Sequence, residues 1–495
     1  MSCSILIIPK NPNYLCSVQE LQSTYTSIDS RLFSREKAIA MQNPTEVIFN
    51  GSLATQLGLT HLAEHPHRAA ILSGQRPWGN SIPFAQAYAG HQFGHFTNLG
   101  DGRALLLGEW VTPQADRFDI QLKGSGPTRY SRRGDGLATL QAMLREYIIS
   151  ESMHGLGIPT SRSLSVVRTG LPVYRESEMQ GAVLARVAKS HIRVGTFEYV
   201  AQLEDLELLR TFTHYTIERH YPDCLKNEHP VQAFLQSVVA AQASLVCEWM
   251  RVGFIHGVMN TDNMSVAGET IDYGPCAFMN GFDFGTVFSS IDTQGRYAFG
   301  RQAPIAQWNL AVLASALLPL LDQDHDKAVK LAQECINSFV PLYESLYENM
   351  MRRKLGIPKP IEGDLIIIDE LTRWMQSTQA DYTQTFWALE SKSQRDHDLY
   401  FTAEFEKIAR DLSELKRLHN IDEQESLEIM LAANPRFIPR NRWVEDALQA
   451  AQLCDYEPLH KILDAAKQPY LKLSHLPELY SLPEDQSNYR TFCGT

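Results

Sequence analysis

The chain has 495 residues, of which 45 are basic and 57 acidic, giving a net charge of −12, with 44% hydrophobic and 21% charged residues. This is the composition of a folded globular protein, and it excludes disorder, collagen, coiled coil and a disulfide scaffold as descriptions of the whole. The acidic balance argues against nucleic acid as a partner, because gripping phosphates along a strand calls for a basic surface.

At roughly 100–200 residues per domain the length fits two to four domains or lobes. Eight cysteines (Cys3, Cys16, Cys224, Cys247, Cys276, Cys335, Cys454 and Cys493) are scattered with no CxxC pair, which speaks against a zinc site and an extracellular disulfide framework. The opening MSCSILIIPKNPNYLC has too short an apolar run for a signal peptide and too few arginines for a mitochondrial presequence. The longest apolar stretch, residues 310–321, contains Pro319 and is too short to span a bilayer. A cytoplasmic protein with no membrane partner is expected, and a monomer.

In chain order, strands are expected at 104–110, 118–124, 163–170 and 181–188. A helix over about 137–154 interrupts them, with Leu137, Leu140, Leu144, Tyr147 and Ile148 on one face and Gly155 as the stop. From about Glu204 the pattern turns helical, with helices expected at 229–252, 305–321, 326–352, 364–377, 400–418, 423–433 and 443–451. The expected class is α+β with two lobes: residues 1–202 form an N-terminal extension and a strand-rich N-lobe, and residues 203–495 a larger helical C-lobe with a C-terminal extension, with the chemistry expected in the cleft between them.

Four stretches carry that chemistry. In NLGDGRALLLGEW (98–110), Gly100 and Gly102 flank one residue ahead of a strand, which suits either backbone approach to a phosphate or an ordinary hairpin. Lys123 ends the apolar run of FDIQLKG and needs a counter-charge. The order of Gly-loop, strand lysine and helix glutamate resembles that of protein kinases, with Glu146 as partner and Glu151 as its competitor. In HGVMNTDNMSVAGETIDYG (256–274), His256, Asn263 and Asp272-Tyr273-Gly274 follow the order of a kinase catalytic loop and metal-binding triplet. A hairpin turning at Ala267-Gly268 would bring Asn263 and Asp272 together around one hard cation. The literal Asp283-Phe284-Gly285 does not close that hairpin and is assigned to the activation segment. The position of the kinase base holds Val258, and Asp262 is the nearest carboxylate, either as substitute base or as loop cap.

The fourth stretch, GAVLARVAKSHIRVGTFEY, holds Arg186 and Arg193, suited to polyphosphate or to surface ion pairs. Arg129, Arg132 and Arg133 precede Asp135-Gly136, which reads as a helix N-cap or as a nucleotide-contacting turn. His91 and His95 have metal-ligand spacing, but Gly90 and Gly94 argue against the helix a zinc motif requires. Trp374, Phe386 and Trp387 read as core.

At these residues the chain resembles the selenoprotein O (YdiU) family. The strings that carry the resemblance include AYAGHQFG (87–94), LGDGRALLLGE (99–109), DIQLKGSGPTRYSRRGDG (119–136), VLARVAKSHIRVGTFEY (183–199), HGVMNTDNMS (256–265) and NPRFIPRN (434–441). The resemblance implies a protein-kinase-like fold that transfers AMP from ATP, bound in a flipped orientation, to Ser, Thr or Tyr hydroxyls of protein substrates. It implies nucleotide contacts at Gly100, Gly102, Arg103, Lys123, Asp135, Gly136, Arg186, Arg193 and Asp272. Mg²⁺ or Mn²⁺ is expected at Asn263 and Asp272, Asp262 as general base, and Glu146 as the partner of Lys123. Members from eukaryotes carry selenocysteine near the position of Cys493, so a regulatory Cys276–Cys493 disulfide is expected, against the alternative of two free thiols. A nucleotide-binding scaffold without transfer, and a kinase using Asp262, are the rival activities.

Overall fold

The computed structural model describes residues 20–481 and 489–491. Strands whose side chains alternate between two apolar environments build the N-terminal part: β1 (Phe33–Arg35), β2 (Thr45–Phe49), β3 (Phe84–Gln86), β4 (Ala89–Gln92), β5 (His95–Asn98), β6 (Ala104–Val111), β7 (Arg117–Lys123), β8 (Arg162–Tyr174) and β9 (Glu178–Ala188). Seven form one antiparallel sheet in the order β1-β3-β6-β7-β9-β8-β2, while β4 and β5 make a separate hairpin. The strands expected at 104–110, 118–124, 163–170 and 181–188 are β6, β7, β8 and β9.

Period-two alternation gives the sheet two unlike faces. Ile120, Leu122, Val183, Ala185 and Val187 pack with Trp78 and Trp110 under the short N-terminal helices. On the other face Ala182 and Leu184 meet Leu144 and Ile148 of the helix Leu140–Gly155. Gln121 and Arg186 are directly opposed across β7 and β9, so the same alternation that fills the first core sends them, with Lys123, to the helix side.

That helix starts at Leu140 rather than at 137. Residues before it are held in extended bridges, Ser125 to Leu137 and Thr139 to Gly181, and the Thr139 hydroxyl caps the helix by accepting from Ala142 N at 3.2 Å. Asp135 therefore does not cap it. The single helix expected over 326–352 is two, His325–Asn337 and Phe339–Lys354, because Pro341 has no N–H to offer the Asn337 carbonyl. The helices Val194–Gln202, Leu206–His220, Tyr382–Glu390 and Glu457–Lys467, and the short ones at Gly51–Gln56, Thr60–Ala63 and Arg68–Leu72, fall outside the expected set.

The helical C-terminal part shares its core with the sheet: Phe197, Phe234, Leu310, Val444 and Leu459 belong to the same buried cluster as Leu144. The chain end returns to the N-terminal part, and the main chain at Ala466 lies so close to Gly155 that a Cβ there would collide with its carbonyl. A third core, around Met351, Leu371, Trp374, Phe386 and Phe405, lies within the helical region, so Trp374 and Phe386 are structural.

Candidate active site

Between the sheet and the helical part lies a sequestered ion network. Lys123 at the end of β7 places Nζ 2.6 Å from Glu146 Oε2 and 3.0 Å from Asp272 Oδ1. Arg186 on β9 places Nη1 2.7 Å from Asp272 Oδ1 and 3.2 Å from Glu146 Oε1, and its Nε donates to Gln121 Oε1 at 2.7 Å. Arg193, at the N-terminus of the helix Val194–Gln202, brings Nη1 3.3 Å from Asp272 Oδ2. Side chains of Lys123, Glu146, Arg186 and Arg193 are each at most 7% exposed, and Asp272 is 17% exposed, so solvent screens these attractions little. Glu146 is the partner of Lys123, as expected; Glu151 instead takes Arg162 at 2.7 Å, Asn50 Nδ2 and the Ser163 amide.

Asp272 is the hub. Burial would raise its pKa, but Arg186, Lys123 and Arg193 outweigh it and hold the carboxylate well below the usual range. Its backbone is in the left-handed region, φ 62°, which turns the side chain back toward β7 and β9. The turn expected between Asn263 and Asp272 is there, reduced to one antiparallel bridge, Met264 to Thr270, around Gly268 at φ 72°. Asn263 donates Nδ2 to the Val258 carbonyl at 3.1 Å, which leaves its amide oxygen as the acceptor end. Asp283 of the literal Asp-Phe-Gly accepts from Gln376 Nε2 and Gly285 N, both at 2.8 Å, and takes no part in the network.

Asp262 has the opposite environment. Its Oδ1 is buried and meets no hydrogen-bond donor among the described residues, although Arg193 Nη1 donates to its main-chain carbonyl at 3.0 Å. Burial pushes the carboxyl up to about 6, against the pull of Arg193. Two glycines make room for it: a Cβ at Gly90 would collide with the carboxylate, and one at Gly195 would lie 3.2 Å from Asp262 Cα. Val258, where a kinase base would sit, is buried in the apolar core. His256 is structural; burial lowers its pKa, and neutral Nε2–H donates to the Ile271 carbonyl at 2.9 Å.

The glycine loop has an architecture that its sequence did not disclose. Asp101, between the two glycines, is buried and accepts from Gln86 N and Gln121 Nε2, both at 3.1 Å, and its Oδ1 is 3.9 Å from Arg193 Nη2. Tyr88 lies under Arg193, whose guanidinium carbon is 4.4 Å from the ring centroid. Gly100, at φ 146°, is pressed against the Tyr130 ring, which leaves no space for a side chain. Arg103 is half-buried, and its carbonyl accepts from Gly124 N at 2.7 Å. Asp101, Gln121, Tyr88, Gly90 and Gly195 were all missed; the one sequence trace of them is the run of small residues in AYAGHQFG.

The structure does not bring every expected residue to the network. Asp135 pairs with Arg175 at 2.7 Å and accepts from Leu137 N, on the exposed turn that Gly136 closes against Gly126. His91 and His95 lie on a strand hairpin, with His91 paired to Glu198, and no group of three or more His, Cys, Asp or Glu able to hold a metal occurs among the described residues. Cys276 is buried, its thiol pushed up to about 12 by that burial, and Cys493 lies outside the described residues. Thr491 nevertheless reaches the same segment, donating its hydroxyl to the Pro275 carbonyl at 2.6 Å.

Comparison with known proteins identifies the family of the chain. The family described as protein adenylyltransferase SelO matches residues 17–467. A protein nucleotidyltransferase YdiU from Alkaliphilus metalliredigens is 51% identical over 96% of this chain and 97% of its own length. Its counterparts from Bacillus cytotoxicus and Clostridium perfringens are 49% and 48% identical over the same shares. Among solved structures, ROP2 from Toxoplasma gondii, described as having a protein-kinase fold and no enzymatic activity, covers 75% of this chain and 97% of its own at 12% identity and a TM-score of 0.25. So low a score carries no weight for the fold, which rests on the sheet, the helical part and the Lys123–Glu146 pair themselves.

Proposed function

The chain belongs to the SelO family of protein adenylyltransferases, enzymes that use ATP to modify proteins, and from that premise we propose that it transfers AMP to Ser, Thr or Tyr hydroxyls with ATP bound in a flipped orientation and Asp262 as the base. The observation that carries this reading is the unpartnered, buried Oδ1 of Asp262 beside a cluster of three cations. A group that must take a proton in the transition state needs an open lone pair; a loop-capping aspartate would have spent it.

In this reading Lys123, Arg186 and Arg193 receive the β- and γ-phosphates, exchanging part of their contact with Asp272 for the triphosphate. The flipped orientation puts the α-phosphorus toward Asp262. The acceptor oxygen attacks in line, the bond from the α-phosphorus to the bridging oxygen breaks, pyrophosphate leaves, and the hydroxyl proton passes to Asp262. Glu146 holds Lys123 in place and touches no reacting atom. Gly100, Gly102, Arg103, Asp135 and Gly136 contact the nucleotide in the same reading, which requires Asp135 to loosen its pairing with Arg175.

Asn263 and Asp272 offer an amide oxygen and a carboxylate, the hard donors that suit Mg²⁺ or Mn²⁺, and two protein ligands are typical where substrate phosphates supply the rest. A divalent ion held there would neutralise charge on the triphosphate and the leaving pyrophosphate. A Cys276–Cys493 disulfide is part of the same proposal, supported by the docking of Thr491 beside Pro275. Peptide mapping after oxidation that finds both thiols unmodified, with activity unchanged, removes it.

The reading is tested by incubating the protein and acceptor proteins with Mg²⁺ and ATP labelled at either the α- or the γ-phosphorus. Label incorporated from the α position alone is expected. Incorporation from the γ position means a kinase, and none from either means a scaffold.

A further inference from the structure

The hairpin of β4 and β5 and the segment 291–305 enclose a groove of about 630 Å³ that the reading above leaves unused. Phe93 and His95 at the hairpin tip form one wall; Ile291, Arg296, Arg301 and Ile305 contribute to the other. The groove begins at the catalytic loop. Asn260 Oδ1 accepts from Phe93 N at 3.1 Å and from the Tyr297 hydroxyl at 2.6 Å, so one side chain ties both walls to the loop that carries Asp262. On the same hairpin, Gly90 lies against the Asp262 carboxylate.

Its charge is one-sided. The Arg296 guanidinium rests against Gly94, with its carbon 5.0 Å from the centroid of Trp308, and its buried Nε meets no acceptor. Arg301 donates to the main-chain carbonyls of Gly295 and Gln294 at 3.2 and 3.4 Å. Neither has an ion-pairing carboxylate among the described residues. The acid in the groove, Asp292, is turned to the backbone, accepting from Arg296 N and Tyr297 N at 2.8 Å each. Beside these arginines Ile291 is half exposed, at 50%. Two guanidinium groups with no ion-pairing carboxylate among the described residues complement carboxylates supplied from outside.

We propose that this groove binds an acidic segment of the protein substrate flanking the acceptor hydroxyl, with Arg296 and Arg301 as its specificity-determining residues. The inference rests on the reading that this site modifies protein hydroxyls, and it adds the class of substrate: a Ser, Thr or Tyr with Asp or Glu nearby and room for an apolar residue against Ile291 and Phe93.

The test uses two fluorescein-labelled peptides, one with a central serine flanked by glutamates and the other with glutamines in their place. Anisotropy titrations of the full chain should give about 10-fold tighter binding of the acidic peptide at low salt, a preference that weakens as salt rises. Arg301→Glu, at an exposed position, should abolish the preference, and Arg296→Ala should reduce it. A lysine-flanked peptide should bind Arg301→Glu better than the original chain. Equal binding of the two peptides, or a preference that survives in the Arg296→Ala/Arg301→Glu double variant, overturns the proposal. Label from α-labelled ATP is followed on the same peptides. An acidic preference in binding with no AMP transferred to any acceptor contradicts the transfer reading and leaves the groove standing. AMP transferred equally well to both peptides does the reverse.

Discussion

Asp262 and Asp272 stand on either side of one tight turn, yet the fold treats them in opposite ways. Asp272 has left-handed backbone and receives Lys123, Arg186 and Arg193, so its charge is answered three times. Asp262 is buried, with Gly90 leaving room for its carboxylate, and one of its oxygens meets no donor among the described residues. The difference teaches how one turn can serve both halves of a transfer reaction. An over-answered carboxylate gathers the cations that a triphosphate needs. In the proposed reading Oδ1 of Asp262 keeps a lone pair open for a proton, while Arg193 and Gln92 answer the rest of that carboxylate.

The largest effect expected from breaking this contrast is at Asp272. Asp272→Ala should lower AMP transfer by about 10³-fold or more, and should cost about 3–5 kcal/mol of stability in urea titrations because three cations lose their common partner. Added ATP should stabilise the original chain but not this variant, since a ligand shifts the folding equilibrium only where the folded state binds it. Lys123→Met comes next, at about 10²-fold in transfer rate and about 2 kcal/mol in stability. Its structural loss is smaller because Glu146 keeps Arg186.

Gly90→Ala attacks the other side of the comparison. The added methyl must displace the Asp262 carboxylate, so kcat should fall about 10- to 100-fold, while ATP affinity measured by calorimetry stays within about 2-fold. The smallest effect sharpens the contrast through a third acid on the same turn. Burial pushes Glu269 up to about 7, although it accepts from Lys189 N at 2.8 Å. The folded state therefore binds this proton more tightly than the unfolded state does. The group's stabilising contribution is full in acid, below its ordinary carboxylate value, and is lost as pH rises through 7. Glu269→Gln should therefore be more stable than the original chain by about 1–2 kcal/mol at pH 8, with the advantage fading toward pH 4.5, as read from urea midpoints.

Much of the network was legible in the sequence because it obeys short-range rules. A lysine ending an apolar run, an arginine across an adjacent strand and a glutamate on the intervening helix each occupy positions that strand and helix periods fix. The order of His256, Asn263 and Asp272 around a glycine turn was legible for the same reason. What escaped depends on contacts between segments far apart in the chain. Gly90 reads as a loop residue until the catalytic loop is laid against it, and Asp101 reads as a turn aspartate until Gln121 and Arg193 arrive. Asp135 shows the converse: its sequence is that of a helix cap, but extended bridging of Leu137 and Thr139 delays the helix and hands the cap to Thr139. The groove beside Arg296 was invisible because its walls are some two hundred residues apart in sequence.

The central claim is that the two aspartates divide the work, Asp272 serving the nucleotide and Asp262 the acceptor proton. The most direct measurement compares ATP affinity and transfer of α-label in Asp262→Asn and Asp272→Asn side by side. The account predicts that Asp262→Asn binds ATP within about 2-fold of the original chain and loses transfer by about 10²–10⁴-fold, whereas Asp272→Asn loses both. Transfer by Asp262→Asn at the original rate, or loss of ATP binding in that variant, would contradict it.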